Sequence, residues 1–243
     1  MMSVFLVLVC LLVGFTAGSM SLGGILLIPP LQWFAGLTPA QASATALCSF
    51  VFTGLFGACL HWRNGSLERD LVVPQCAGAL VFSFLGALTK YLLGPVTLNR
   101  ALAALIILSG LLILKPARRI TALESPRVRF TVLLAIGGFA GYLAGLTGMG
   151  GPLVSIPVMI ITGFHPFATV AAAQPFMVVA ALSGTAGNAL LGYIDWPLAL
   201  MTVGLQAAGV WAGVRVGRHL PTAVLKICLA VVSMGTGVFM LVR

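Results

Sequence analysis

The sequence predicts an all-α polytopic membrane protein built from two repeats of about five helical segments each. Three observations predict this fold: 60% of the 243 residues are hydrophobic and only 7% are charged, the apolar stretches are continuous, and one segment occurs twice. A chain this apolar cannot cover a soluble globule with polar groups, so it must lie in a bilayer. Continuous apolar stretches favour helices over barrel strands, because a helix satisfies its own backbone.

Seven apolar stretches have about the length of roughly 20 residues that crosses a hydrocarbon core. They lie at 40–60, 71–93, 98–114, 128–147, 167–191, 197–214 and 223–242. A further stretch at 2–18 has neither a basic region before it nor a cleavage site after it, so we expect a retained first helix. A shorter apolar segment follows at 24–36.

The duplication defines the organisation of the chain. Residues 14–46 and 141–173 match at 11 of 33 positions with a constant offset of 127, and most of the matches are glycine or proline. The offset predicts a first repeat at 1–116, a basic linker at 117–130 and a second repeat at 131–243. Segments interrupted by glycine and proline at corresponding places in two halves are typical of transporters.

The basic residues indicate how the two halves are oriented. If 2–18 and 24–36 are separate segments, the repeats are inverted, and the loops on the linker side carry ten Lys and Arg against three on the other side. If these two segments together cross the membrane only once, the repeats are parallel, and the linker side carries eight Lys and Arg against five on the other side. The first split agrees better with the excess of Lys and Arg in cytoplasmic loops. We therefore predict inverted repeats, a cytoplasmic linker, both termini outside, and Lys90 in an outer loop.

The first two segments of each half must be interrupted. Together they run for about 35 residues, which is too long for one crossing and too short for two at ~1.5 Å per residue. Glycine-rich stretches at 18–24 and 145–151 supply the break. Unwound backbone at membrane depth is stable only where protein buries it or where it lines a cavity. A helix that starts after such a break presents free N–H groups, which attract an anion.

The two breaks predict one site for a small anion near the middle of the membrane, lined by hydroxyl and amide groups without a fixed positive charge. The predicted binding residues are Ser19, Ser21, Gly23, Gly24, Gln41, Thr45, Thr147, Gly148, Gly150, Gly151, Gln174 and Asn188. The alternative interpretation is that the glycines only allow close helix packing.

Several motifs resemble those of a known family. GFTAGSMSLGGILLIPP at 14–30 and GYLAGLTGMGGPLVSIP at 141–157 resemble the duplicated glycine-rich signature of the TauE/SafE sulfite exporter family. ATAL at 44–47 and GYIDW at 192–196 resemble further motifs of that family. The resemblance implies a multi-pass permease of the bacterial inner membrane that exports sulfite, sulfonates or related organosulfur anions.

The acidic residues constrain the mechanism. The chain has only Glu68, Asp70, Glu124 and Asp195, all expected in loops or at helix starts. Because no carboxylate is expected inside the membrane, uniport of an anion down the membrane potential is the simplest mechanism. Glu68 and Asp195 occupy equivalent places in the two repeats, where an acid can cap the following helix.

Other functions stay open on the sequence alone. A passive anion channel would use the same polar breaks. Departures from the family pattern at Ile25, Ala46 and Pro152 leave the substrate open, so a permease for non-sulfur carboxylates is a further alternative. An intramembrane enzyme would need a base beside Ser19 or Ser21, and we expect no histidine or lysine in the interior of the neighbouring helices.

The expected partners are the small anion and the lipid bilayer, and the sequence leaves homodimerisation open. The 13 Lys and Arg form no patch with interleaved aromatics, so we expect no nucleic acid partner. No cofactor and no metal are expected, since the five cysteines form no C-x-x-C pair. His165 precedes a proline in a short turn and is interpreted as a solvated turn residue, with a pH-sensing gate as the alternative.

Overall fold

The computed structural model describes residues 2–21, 24–94 and 125–217, with isolated positions between 96 and 111 and between 223 and 238. Apart from these isolated positions, the predicted segments at 98–114 and 223–242 lie outside the described residues, and so does most of the linker. The helices of the described part are α1 (Met2–Met20), α2 (Gly24–Phe34), α3 (Pro39–Arg63), α4 (Arg69–Thr89), α5 (Pro126–Thr147), α6 (Pro152–Ile161), α7 (Pro166–Leu190) and α8 (Trp196–Gly217). A 3-10 turn, Lys90–Leu92, follows α4.

The prediction of an all-α polytopic membrane protein is confirmed. Helices α3, α4, α5, α7 and α8 are long and apolar enough to cross a membrane, and each contains one of the predicted apolar stretches nearly in full. The described residues contain no β-strand. A chain whose spans are helical satisfies its backbone hydrogen bonds within each span, which is what the absence of water in a bilayer core requires.

The helix bounds follow the sequence repeat. Adding 127 to the bounds of α3 gives those of α7, and adding it to α4 gives α8 to within one residue. The same shift applied to the bounds of α2 gives those of α6 to within one residue. Applied to the last residue of α1, Met20, it gives the last residue of α5, Thr147. The duplicated sequence is therefore folded as duplicated structure through the four helices described in each half.

Helices from different halves pair through small residues. Helix α1 packs along α8 and α4 packs along α5, and exchanging the two halves turns one pair into the other. In each pair a row of glycines with a spacing of four lies directly on the backbone of the partner helix, which lets the two backbones approach closely. The contacts are Gly14 with Gln206, Gly18 with Val210, Gly137 with Gln75, Gly141 with Ala79, and Gly145 with Ser83.

Helices α3 and α7 cross at the centre of the described structure. Their contacts are Gly57 with Gln174, Gly54 with Met177, and Leu47 with Gly184. Residue numbers fall along one helix as they rise along the other, so these two repeat-equivalent helices run antiparallel. Leu47, Phe50 and Met177 are among the fully or nearly fully buried residues of the main hydrophobic core, which surrounds this crossing.

Candidate functional site

Both predicted interruptions are present, although they are shorter than expected. Helix α1 continues through Gly18 and Ser19 to Met20, and α5 continues to Thr147. In the first break Ser21 has a φ of +58°, an uncommon conformation for a non-glycine residue. Helix α2 begins at Gly24, and Gly23 lies outside the described residues.

The second break depends on three glycines. Gly148, Gly150 and Gly151 have φ values of +74°, +78° and +69°, a region that glycine enters without steric cost. Gly148 ends α5, where its N–H donates to the carbonyl of Ala144, and α6 begins directly after Gly151, at Pro152. Predicted site residue Thr147 donates its hydroxyl back to the Leu143 carbonyl within α5.

The first break is held by α7 of the other half. Ser21 Oγ donates to the Val170 carbonyl at 3.1 Å, and Gln174 Nε2 donates to the Ala17 carbonyl at 2.8 Å. Gln174 is fully buried, and its Oε1 has no hydrogen-bond partner among the described residues. The end of α1 is thus tied to α7 by two predicted site residues. Ser19 instead donates within α1, to the Phe15 carbonyl.

The second break is held by α3 and reaches the α3–α7 crossing. Gly148 lies so close to the Ser43 backbone that a Cβ would collide with it. Gly150 lies between Phe50 and Met177, which are repeat equivalents of each other, and Gly151 lies against the ring of Phe176. The nearest side chains around Gly150 and Gly151 are therefore apolar, whereas the sequence predicted hydroxyl and amide groups there.

A buried lysine lies next to the second break. Lys90, in the turn after α4, has only 1% of its surface exposed, and its Nζ donates to Ser43 Oγ and to Asn188 Oδ1 at 2.9 Å each. Ser43 and Asn188 are themselves fully buried. Ser43 is also the residue on which Gly148 rests. We call Lys90, Ser43 and Asn188 the Lys90 cluster.

The two acceptors of the Lys90 cluster are fixed by their own helices. Ser43 Oγ donates to the Ala40 carbonyl at 2.9 Å, so its oxygen lone pairs are what it offers to Lys90. Asn188 Nδ2 donates to the Gly184 carbonyl at 2.8 Å, which turns Oδ1 towards the lysine. Lys90 therefore receives two oriented neutral acceptors, which α3 and α7 hold in place.

The other predicted site residues lie outside this cluster. Gln41 forms a capping box with Thr38 at the start of α3. Thr45 is fully buried, and its Oγ1 accepts the backbone N–H of Asp195 at 3.1 Å. Asp195 in turn caps α8 by accepting the Leu198 N–H at 3.0 Å, as the sequence predicted. Thr45 thus joins α3 to the loop before α8.

Glu68 and His165 occupy the N-cap positions of α4 and α7, and neither side chain makes a capping hydrogen bond. The predicted side-chain cap by Glu68 is therefore wrong. Its carboxylate lies 3.8 Å from Arg129 instead.

A model of the family described as sulfite exporter TauE/SafE matches residues 6–240. The chain belongs to this family. It is 28% identical to the probable membrane transporter protein YdhB of Bacillus subtilis (strain 168), over 91% of this chain and 93% of that protein. It is 30% identical to the probable membrane transporter protein YjnA of the same organism, over 90% of each chain. The probable membrane transporter protein y4hK of Sinorhizobium fredii (strain NBRC 101917 / NGR234) is 26% identical over 85% of each.

No solved structure matches the chain at a significant level. The relatives are named as probable membrane transporter proteins without a substrate, so membership in the TauE/SafE family gives membrane transport as the general function of this chain. The protein is accordingly a multi-pass membrane protein of a transporter family.

The expectation that the interior holds no histidine and no lysine is wrong, because the side chains of His61 and Lys90 are both buried. Lys90 does lie in a turn, the one after α4, and its place on the outer side of the membrane stays a prediction. The signal for the burial of Lys90 was its position inside the apolar run 71–93, where a charge needs buried partners unless its side chain reaches water.

Two pockets lined by described residues lie at the other end of α4, around Arg69. Their volumes are about 430 and 500 Å³. Neither is lined by a predicted site residue or by a member of the Lys90 cluster. The predicted anion-binding cavity between the two breaks therefore stays a prediction.

We expect Gly148→Ala to destabilise the protein more than Gly192→Ala. Both glycines have a positive φ, so both substitutions carry about 1–2 kcal/mol of backbone strain. Only at Gly148 does the new Cβ also meet backbone, that of Ser43, whereas nothing lies within 4 Å at Gly192. Thermal unfolding in detergent should give a clearly lower midpoint for Gly148→Ala. Equal midpoints would mean that the second break is not packed on α3.

Proposed function

We propose that this protein exports a small anion, such as sulfite, a sulfonate or a related organosulfur compound, across the bacterial inner membrane. The substrate is held between the broken helices of two inverted repeats. The observation that carries the proposal is the pair of interrupted helices at equivalent positions, each tied at its break to the other half of the chain. Ser21 bonds to α7, and Gly148 rests on α3.

The antiparallel crossing of α3 and α7 supports the inverted arrangement. These helices are repeat equivalents, and in parallel repeats they would cross the membrane in the same direction. Inverted repeats place substrate sites at the interface of the two halves and allow one half to rock against the other. In this arrangement the repeats are 1–116 and 131–243, and the basic linker between them is cytoplasmic.

The position of the acidic residues supports transport without an intramembrane carboxylate. Glu68, Asp70 and Asp195 lie at or beside the starts of α4 and α8, and Glu124 lies outside the described residues. A membrane potential supplies about 2.3 kcal/mol per charge at 100 mV, which is enough to drive an anion out of a cell whose interior is negative. Uniport is therefore the simplest mechanism.

The alternatives are a passive anion channel and a permease for non-sulfur carboxylates. Saturable flux with slow turnover supports a carrier, whereas fast flux that does not saturate supports a channel. An enzymatic activity and a nucleic acid partner are not part of the proposal. It requires no cofactor and no metal, and it is compatible with a monomer or a homodimer.

Purified protein in liposomes should release a trapped sulfonate when valinomycin and a potassium gradient make the interior negative. For a monovalent anion, 100 mV should change the equilibrium distribution about 50-fold, because 1.4 kcal/mol corresponds to a factor of ten. Labelled methanesulfonate is a stable probe, and liposomes without protein are the control. Efflux that stops when the proton gradient alone is collapsed, at a fixed potential, would rule out uniport.

In the same assay Gln174→Leu should lower the flux at least tenfold, because it removes the amide that ties the end of α1 to α7. Gln75→Leu is the matched control. Both glutamines are fully buried, donate Nε2 to a backbone carbonyl at 2.8 Å and leave Oε1 without a partner among the described residues. The Gln75 bond lies within α4, so flux should stay within a factor of two. Equal losses in both variants would remove Gln174 from the site.

A further inference from the structure

We propose that Lys90 is the positive charge that binds the transported anion. This inference rests on the proposed function and adds a binding residue and a charge requirement to it. Four features of the Lys90 cluster support this role. It is buried, it has no negatively charged partner among the described residues, it has unused hydrogen-bond donors, and it occurs in only one half of the fold.

Lys90 has no negative partner in the described structure. Glu68, Asp70 and Asp195 are the described carboxylates, and none lies within 4 Å of its ammonium group. Taking an ammonium out of water costs several kcal/mol, and two neutral oxygens do not supply the charge that would offset this cost, so burial alone favours the neutral amine. A bound anion would stabilise the charged ammonium form. Anion binding and the positive charge of Lys90 would therefore support each other.

The same cluster has hydrogen-bond donors to spare. An ammonium carries three N–H groups, and two of them are used by Ser43 and Asn188. The Asn188 amide carries two N–H groups, and one of them is used by the Gly184 carbonyl. One donor on each residue is left for an oxyanion, and charge-assisted bonds of this kind are among the strong ones. A sulfite or sulfonate group offers several oxygens to such a pair.

The Lys90 cluster occurs in only one of the two repeats. The repeat equivalents of Lys90, Ser43 and Asn188 are Gly217, Val170 and His61. At the first break the Val170 carbonyl accepts the Ser21 hydroxyl, and no lysine exists at the equivalent place. Ser21 and Gln174 tie the first break to α7 without a lysine. A break of this kind can therefore be held without a buried cation, which leaves the cation at the second break available for another function.

The competing explanation is structural. Lys90 lies near the C-terminal end of α5, where the helix dipole favours a cation, and it joins α3, α7 and the end of α4. Both explanations predict that loss of Lys90 harms the protein. They differ in what a change of charge does to ligand preference while the fold is kept.

The test compares methanesulfonate with methanesulfonamide, a neutral probe of nearly the same shape, by binding calorimetry on the full-length protein in detergent. The native protein should bind the anion at least tenfold more tightly. In Lys90→Met this preference should fall to about one, whereas Lys90→Arg should keep most of it. Arg129→Met removes one positive charge at the other end of α5 and should leave the preference unchanged.

Asn188→Asp keeps the test decisive if Lys90→Met fails to fold. It places a carboxylate where Oδ1 now accepts from Lys90, so an internal ion pair should displace the anion. Methanesulfonate affinity should fall at least tenfold. A purely structural lysine predicts unchanged anion affinity.

The outcomes separate the two proposals. If the native protein binds and transports neither sulfonates, sulfite nor carboxylates, the proposed function fails. If it prefers the anion and Asn188→Asp keeps that preference, Lys90 is not the anion ligand, and the proposed function stands without it.

Discussion

An interrupted helix in a membrane protein must have its backbone groups satisfied by protein, because the hydrocarbon core offers no water to do so. This constraint explains how the two halves are joined. The carbonyl of Ala17, at the end of α1, accepts both the Ser21 N–H and the Gln174 amide of the other half. At the second break the Gly148 N–H donates to the Ala144 carbonyl, and Gly148 packs against the Ser43 backbone. Each break is therefore packed against the opposite half, and at the first break that half also supplies hydrogen bonds.

The same constraint explains why polar residues are found where they are. Ser43 and Asn188 satisfy backbone carbonyls of their own helices and orient the acceptors for Lys90. Around Gly150 the neighbours are Phe50 and Met177, so the start of α6 lies in apolar surroundings at the helix crossing. Lys90 is thus close to the Gly148 end of the second break, whereas the Gly150 end of the same break has apolar neighbours. An anion bound to Lys90 would lie on the α5 side of that break.

The helices and the breaks were predictable from the sequence because their causes are local. Continuous apolar runs set the spans, and glycine pairs at a fixed offset of 127 set the interruptions. The capping role of Gln41 was also readable, since Thr38 and Gln41 have the spacing of a capping box. Gln41 was also a predicted residue of the anion site, but its side chain caps α3 and makes no hydrogen bond to Lys90 or Gln174.

The position of Lys90 was not predictable in the same way. A cation at the end of an apolar run is compatible both with a loop and with a buried site, and the choice depends on packing among α3, α4, α5 and α7. Those helices meet through glycines that are far apart in the chain, such as Gly145 and Gly184. Packing between distant segments also explains why Asp195 caps its helix and Glu68, at the equivalent place, does not. Arg129 of α5 lies beside Glu68, and Asp195 instead keeps its bond to the Leu198 N–H.

The most direct measurement is the position of a bound anion in an experimental structure. Crystals grown with 2-bromoethanesulfonate would locate the ligand through the anomalous signal of its bromine. We predict sulfonate oxygens at about 3 Å from Lys90 Nζ and from Asn188 Nδ2, beside the second break. The account is contradicted if the sulfonate lies elsewhere while Lys90 bonds only to Ser43 and Asn188, or if Lys90 extends into water.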